Sequence, residues 1–452
     1  MSNLNFPGAF EKRMLYRLGS EWDNFKRAHE QSSPVSIRLH PLKKSSLINS
    51  EQVPWAEQGR YLPERPSFTL DPSFHGGAYY VQEASSMFLE QALKQSIDLS
   101  APLNVLDLSA APGGKSTHLL SLISNESLLV SNEVIRSRAA ILAENIQKWG
   151  YVNCLVTNSD PKDFNNIEGF FDVIVVDAPC SGEGLFRKDP QAINEWSVEN
   201  ASLCSSRQKR IIHDVWPALK TDGILIYCTC TYNPDENEEN LYWLQQEKEI
   251  EFIELNTNFS WGIEKVVKDK VSGYQFYPNK VKGEGFFISV IRKKEYSESA
   301  TIKSKKKLVA PSKRVIESLN AWVSHPEKLL FKQHNELVFA LRAEKTDEIE
   351  FLLQHLKFVY GGTNIATVKH DKLIPEHSLA LSIILNPDTF NSIEVELPVA
   401  LQYLRKETID IKDVEKGFAS LAYEGTRLGW VNVIQNRINN MYPSEWRIRM
   451  TR

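Results

Sequence analysis

The stretch Val105-Leu106-Asp107-Leu108-Ser109-Ala110-Ala111-Pro112-Gly113-Gly114-Lys115-Ser116-Thr117 reads as a buried strand, a turn of small residues and the start of a helix. Small side chains at such a turn let a ligand approach the backbone at the carboxyl end of a strand, where doubly wound α/β folds bind their ligands. The turn is not a dinucleotide fingerprint, which needs G-x-G-x-x-G, and Ser109 stands where a P-loop needs its first glycine. A cofactor without a pyrophosphate fits better.

Downstream, β-branched runs alternate with helix-length segments: SLLVSNE, NCLVTNSD, FDVIVVDAP, GILIYCTC, then EFIEL and GFFISVI. These are predicted strands of a mostly parallel sheet buried on both faces. Ile141, Leu142 and Ile146 in one gap, and Ile211, Ile212, Val215 and Leu219 in another, have helical spacing and predict crossover helices. The fold class is therefore α/β. Mixed helical and extended patterns before residue 80 and over the last 140 or so residues predict small α+β appendages.

The second predicted strand ends in Asn132-Glu133, and a carboxylate there can take both hydroxyls of a ribose. Asp160 closes the third strand. The fourth ends in Asp177-Ala178-Pro179-Cys180-Ser181-Gly182-Glu183-Gly184 and the fifth in Cys228-Thr229-Cys230-Thr231-Tyr232-Asn233-Pro234. In a parallel sheet these tips share one edge, so Cys180 and Cys230 converge beside the cofactor turn. A thiol nucleophile beside a second thiol points to covalent chemistry. Cys154, Cys204 and Cys228 read as core. Asn233-Pro234-Asp235-Glu236 reads as a helix N-cap followed by proline and acidic residues in the first turn.

Composition bounds the rest. A chain of 452 residues implies about three domains. With 42% hydrophobic and 24% charged residues it is not a disordered chain. Five cysteines form no even disulfide framework, no C-x-x-C or H-E-x-x-H marks a zinc site, and no apolar run is long enough for a membrane span. A cytoplasmic, metal-free protein is expected. The net charge of -4 gives no global basic field, so a polyanion must be met locally. The densest basic stretch holds Lys303, Lys305, Lys306, Lys307, Lys313 and Arg314.

Taken together, LDLSAAPGGKST, NE, SD, DAPCSGEG and CTCTYNPDENEEN resemble the motifs of the NOL1/NOP2/Sun family of RNA cytosine-5 methyltransferases, over roughly residues 36–294. The tail is similar to the bacterial RsmF type. The resemblance implies a class I, Rossmann-like, S-adenosylmethionine-dependent core over 81–298 and a ferredoxin-like or RRM-like RNA-binding region over 1–80. It further implies a linker and small ferredoxin-like domain over 299–380 and a PUA-like RNA-binding domain over 381–452, in a monomer.

By the same resemblance Cys230 is the nucleophile that adds to carbon 6 of cytosine, and Cys180 assists loss of the carbon 5 proton and release of product. Asp177 contacts the base or the methionine end of the cofactor, and Lys115 lies near both. Ser109, Ala110, Ala111, Pro112, Gly113, Gly114, Glu133 and Asp160 hold S-adenosylmethionine, with Asp160 facing the adenine amino group. A DNA cytosine methyltransferase uses its Pro-Cys thiol as nucleophile, so Cys180 alone does not decide; the second thiol favours RNA. The implied substrate is small-subunit ribosomal RNA, with tRNA methylation and a catalytically idle ribosome-assembly factor as alternatives. Arg38, Lys43, Arg187, Lys188, Lys280, Lys282 and the basic stretch are the candidate RNA contacts. Where relatives often carry Pro-His before Gly-Glu-Gly-Phe-Phe, this chain has Pro278-Asn279.

Overall fold

The computed structural model describes residues 5–450 except 306, 371 and 436, so Lys306 of the basic stretch lies outside the described residues. Its centre is a ten-stranded sheet. Strands β1 (Asn104–Asp107), β2 (Leu128–Asn132), β3 (Cys154–Thr157), β4 (Phe171–Asp177) and β5 (Leu219–Thr229) run parallel in the order β3-β2-β1-β4-β5. The antiparallel side is made by β6 (Ile250–Phe252), β7 (Glu264–Lys268), β8 (Val271–Phe276) and β9 (Phe286–Lys293), with β9 paired to β5. Successive side chains point to opposite faces. Accordingly Val105, Val173 and Val175 join one core with Leu142 and Ile146, while Leu106, Ile174 and Val176 join another with Ile211, Ile212 and Val215. The helices Arg136–Trp149 and Val198–Val215 are the predicted crossovers, although Ile141 faces solvent and Leu219 opens β5.

The chain leaves β1 towards β2 and β3, then returns to β4 on the other side of β1. That reversal opens a crevice at the carboxyl ends of β1 and β4.

Smaller sheets flank this core. Residues 1–80 place two helices, Gly8–Leu18 and Trp22–His29, ahead of a four-stranded antiparallel sheet whose last strand is Tyr79–Val81. A ferredoxin-like unit needs its helices between strands. Over 299–380 the strands Leu329–His334, Leu337–Arg342, Thr363–Lys369 and Lys372–Pro375 pair as neighbours in sequence order, which is a meander. The remaining strand, β10 (Phe358–Gly361), leaves that group and pairs antiparallel with β3, covering an edge that would otherwise stay open. Residues 391–440 form a separate sheet packed around Tyr403, Leu428 and Tyr442. No helix among the described residues is long and apolar enough to cross a membrane.

Arg38 is fully buried at the seam between the N-terminal sheet and the core. Its guanidinium donates to Gln82 Oε1 (2.8 Å), Thr117 Oγ1 (2.6 Å) and Ser121 Oγ (3.3 Å) and lies 4.5 Å from the Trp149 ring centre. Burial lowers its pKa to about 9. Such a group fastens domains and does not meet RNA. Arg38→Ala, which leaves a cavity and unmet acceptors, should lower unfolding free energy by about 2–4 kcal/mol. Urea denaturation followed by tryptophan fluorescence measures this, and an unchanged midpoint would sink the assignment.

Candidate active site

The turn after β1 is held by its neighbours. Leu108 N donates to Val175 O (3.0 Å) and Ala110 N to Asn132 O (2.8 Å). Asn132, buried at the tip of β2, accepts from Thr157 Oγ1 (2.8 Å) and Ser159 N (3.0 Å) and donates to Ser159 O (3.0 Å) and Leu108 O (3.3 Å). One amide thus ties three strand tips together. Gly113, at φ 118°, turns the chain into the helix Gly114–Leu122 with a backbone that side chains rarely adopt.

A cleft of about 160 Å³ opens there, lined by Ser109, Ala110, Ala111, Pro112, Gly114, Lys115 and Asp177 from the core. Its other wall is Tyr80, Val81, Gln82, Glu83 and Ser86, which the sequence reading did not place in the site. Gly113, Glu133 and Asp160 stand behind the lining. Glu133, buried at the tip of β2, accepts from Ile135 N (2.9 Å), and Arg138 is 3.7 Å from its second oxygen. Asp160 accepts from Lys162 N (3.1 Å) in a reciprocal cap with Asp163.

Lys115 Nζ donates to Asp177 Oδ2 (2.7 Å) and lies 5.3 Å from the Phe286 ring centre. Burial disfavours its charge most, but Asp177, Cys228 and Asp107 together outweigh burial and raise the pKa. Below them Asp107 is fully buried; Ser116 Oγ donates to its Oδ2 (2.6 Å), while Oδ1 has no partner. Burial, opposed by Ser116 and Lys115, lifts its pKa to about 7.

The two predicted thiols do meet. Cys180 Sγ and Cys230 Sγ are 3.1 Å apart, outside the roughly 2.05 Å of a disulfide. Cys230 N also points at Cys180 Sγ (3.4 Å). Beside Cys230, and in a buried position, the Cys180 thiol is pushed well above its ordinary pKa. Cys154 and Cys228 are fully buried, and Cys204 nearly so.

Behind the thiols sits a carboxylate that sequence reading took for a helix-start residue. The helix begins at Glu238, and Asn233 instead caps a turn by accepting from Asp235 N (3.1 Å). Glu236 is thereby released from the helix and fully buried. It accepts from Ser181 N (2.8 Å), Ser181 Oγ (2.5 Å) and Gln208 Nε2 (3.1 Å), and Thr231 Oγ1 approaches to 3.4 Å. Ser181 follows Cys180 and Thr231 follows Cys230, so one side chain ties both thiol loops. Glu183 does similar work towards the N-terminus, accepting from Arg13 (2.5 Å), Trp196 Nε1 (2.9 Å) and Tyr232 N (3.2 Å). Gly184 allows the loops to touch: a Cβ there would lie 2.4 Å from Gly285 O and 2.9 Å from Cys230 O.

Several expected RNA contacts are engaged internally. Arg187 pairs with Glu284 (3.0 Å) with both side chains buried, and Lys43 Nζ is held by Gly76 O (2.9 Å) and Lys148 O (2.6 Å). Lys280 pairs with Glu264, Lys282 with Glu51 (2.5 Å), and Lys307 with Glu350 (2.8 Å) and Asp347 (3.1 Å). Lys188 is exposed. Asn279 Nδ2 reaches Glu21 at 3.5 Å, and its buried Oδ1 has no partner. Among the described residues no group of three or more His, Cys, Asp or Glu could hold a metal ion.

Comparison with known proteins extends beyond the site. A family described as 16S rRNA methyltransferase RsmB/F matches residues 96–292. The N-terminal domain of 16S rRNA methyltransferase RsmF matches 6–84, and the Methyltransferase RsmF PUA domain matches 390–448. Ribosomal RNA small subunit methyltransferase F of Psychromonas ingrahamii is 31% identical over 476 residues, covering 98% of each chain. Its namesake from Shewanella woodyi is 30% identical, covering 98% of this chain and 96% of its own. Among solved structures, a methyltransferase homolog from Pyrococcus horikoshii aligns with TM-score 0.55 and 28% identity over 64% of this chain and 96% of its own. NSun6 from the same organism aligns at 0.55 and 18% identity over 65% and 99%, a likeness of fold. Because the sequence match spans the flanks as well as the shared core fold, this protein belongs to the RsmB/F family of 16S rRNA methyltransferases.

Proposed function

We propose that this protein methylates carbon 5 of cytosine in small-subunit ribosomal RNA, using S-adenosylmethionine and a covalent bond from Cys230 to the base. The observation that carries the chemistry is the pair of sulfurs 3.1 Å apart, three residues beyond Asp177 of the cleft wall. Carbon 5 of cytosine is a poor nucleophile until a thiolate adds at carbon 6. Cys230 is read as that thiolate and Cys180 as the acid and base beside it. Asp177, fixed by Lys115, lines the cofactor cleft three residues before Cys180 and is suited to share a proton with the ring nitrogen.

The cofactor assignment rests on shape and donor chemistry. A cleft at the carboxyl ends of β1 and β4, lined by small residues, has the place of a small-molecule site. The small residues Ser109 to Gly114 would lie along the cofactor, with Glu133 and Asp160 at the neighbouring strand tips supplying carboxylates. Bound S-adenosylmethionine supplies an electrophilic methyl group. The substrate assignment rests on relatives that are themselves small-subunit rRNA methyltransferases along their whole length.

Bisulfite sequencing of total RNA incubated with enzyme and S-adenosylmethionine tests the reading, with Cys230→Ala in parallel. New protected cytosines in ribosomal RNA, absent with the variant, are expected. Protection confined to tRNA would overturn the substrate, and protection that survives in Cys230→Ala would overturn the nucleophile.

A further inference from the structure

A second cleft, of about 370 Å³, lies where three parts of the chain meet. Lys43, Lys44 and Gly76 come from the N-terminal part, Leu381 to Ile383 from the connector, and Thr426 and Arg427 from the C-terminal hairpin. The junction is tightly built: a Cβ on Gly76 would lie 2.7 Å from Arg427 O, and one on Gly150 would lie 2.4 Å from Leu381 O. Thr426 Oγ1 donates to Lys44 O (3.2 Å) across it.

Its charge is not balanced. Among the described residues no carboxylate lies within salt-bridge distance of Lys43, Lys44 or Arg427. Lys43 spends two of its three N–H bonds on Gly76 O and Lys148 O, which leaves one to donate. The one acidic lining residue, Glu394, accepts from Gly425 N (3.0 Å). Burial, and secondly the neighbouring Arg427, lower Lys43 to a pKa of about 7, so a charge on Lys43 stands beside Arg427 without a counter-charge. An anion between them would relieve that repulsion.

The geometry points to a phosphate-binding subsite formed by Lys43, Lys44 and Arg427, which takes the backbone of the substrate RNA. It rests on the reading of RNA as substrate. Gly76 of this cleft and Tyr80 of the cofactor cleft are four residues apart, which bounds their Cα separation at about 14 Å. A free phosphate would use the same contacts.

The test measures binding of deproteinised small-subunit rRNA between 50 and 200 mM salt for wild type, Lys44→Gln, Arg427→Gln, Arg427→Lys and the Lys44→Gln/Arg427→Gln double variant. Each lost phosphate contact should reduce the slope of log affinity against log salt by about 0.7, so the double variant should lose about 1.4 and Arg427→Lys almost nothing. Lys44 is exposed, so its single variant reports even if the Arg427 variants fold poorly. An unchanged slope in the variants, with wild type binding normally, overturns the subsite alone. No salt-dependent binding by wild type overturns the RNA reading beneath it. Calorimetric binding of inorganic phosphate that the double variant loses, with RNA slopes unchanged, also overturns the RNA subsite and assigns the cleft to free phosphate.

Discussion

Incubated with substrate RNA and S-adenosylmethionine, Cys180→Ala should accumulate a protein–RNA adduct that survives denaturation, whereas Cys230→Ala should form none. The Cys180 thiol is held protonated chiefly by the Cys230 sulfur 3.1 Å away and secondly by burial. In the proposed reaction Cys180 is the acid and base partner and Cys230 the nucleophile, and two thiols this close do not both ionise readily. Once Cys230 is bonded to carbon 6 of the base, it is a thioether and no longer bears charge. The contribution of Cys230 to the shift at Cys180 is then gone, which moves its pKa downwards and favours its service as a base. A base is needed at that moment, because carbon 5 carries both the new methyl and a proton, and Cys230 leaves only when that proton is removed. Alanine at position 180 leaves the adduct without it, and turnover should fall by about 10² to 10⁴-fold. A denaturing gel with labelled RNA reads the adduct. If Cys230→Ala traps RNA and Cys180→Ala does not, the roles are reversed.

The parts of this site that were legible in the sequence are those whose chemistry is local. Lys115 and the small residues from Ser109 to Gly114 lie within one turn, and Asp177 and Cys180 within one strand end. Parallel pairing then brings the Cys230 strand alongside without further information, since β4 and β5 are neighbours. What stayed hidden depends on distant packing. Arg38 and Arg187 look like surface cations in a string of letters, yet Gln82, Thr117 and Glu284 bury them from positions far along the chain. The pairing of β10 with β3 joins residues some two hundred positions apart, and no periodicity announces such a partner. Glu236 was misread for a related reason: a carboxylate after Asn-Pro matches a helix start, and only the turn through Asn237 sends it inwards.

That hidden carboxylate sets the second large effect. Glu236→Ala should lower kcat by about 10²-fold with little change in KM for RNA, whereas Glu236→Gln should retain most activity. Glu236 touches neither thiol in its hydrogen bonding; it fixes the residues that follow them, accepting from the backbone and hydroxyl of Ser181 while Thr231 closes the other side. Alanine leaves the Ser181 N–H and the Gln208 amide without their buried acceptor, and the two loops lose their common tie. A shift of about 1 Å between the sulfurs and the base is enough for a loss of that size. Glutamine keeps one oxygen for Ser181 N, and its amide can donate to the Ser181 and Thr231 hydroxyls, which rotate to accept. Burial, against the pull of Ser181, raises the Glu236 pKa, so the carboxylate costs stability as pH rises from the unfolded towards the folded pKa. Glutamine removes that cost, and Glu236→Gln should lose less stability than wild type on going from pH 5 to pH 8. Equal loss of kcat in both variants would instead require the charge itself in catalysis, and would overturn the positioning role.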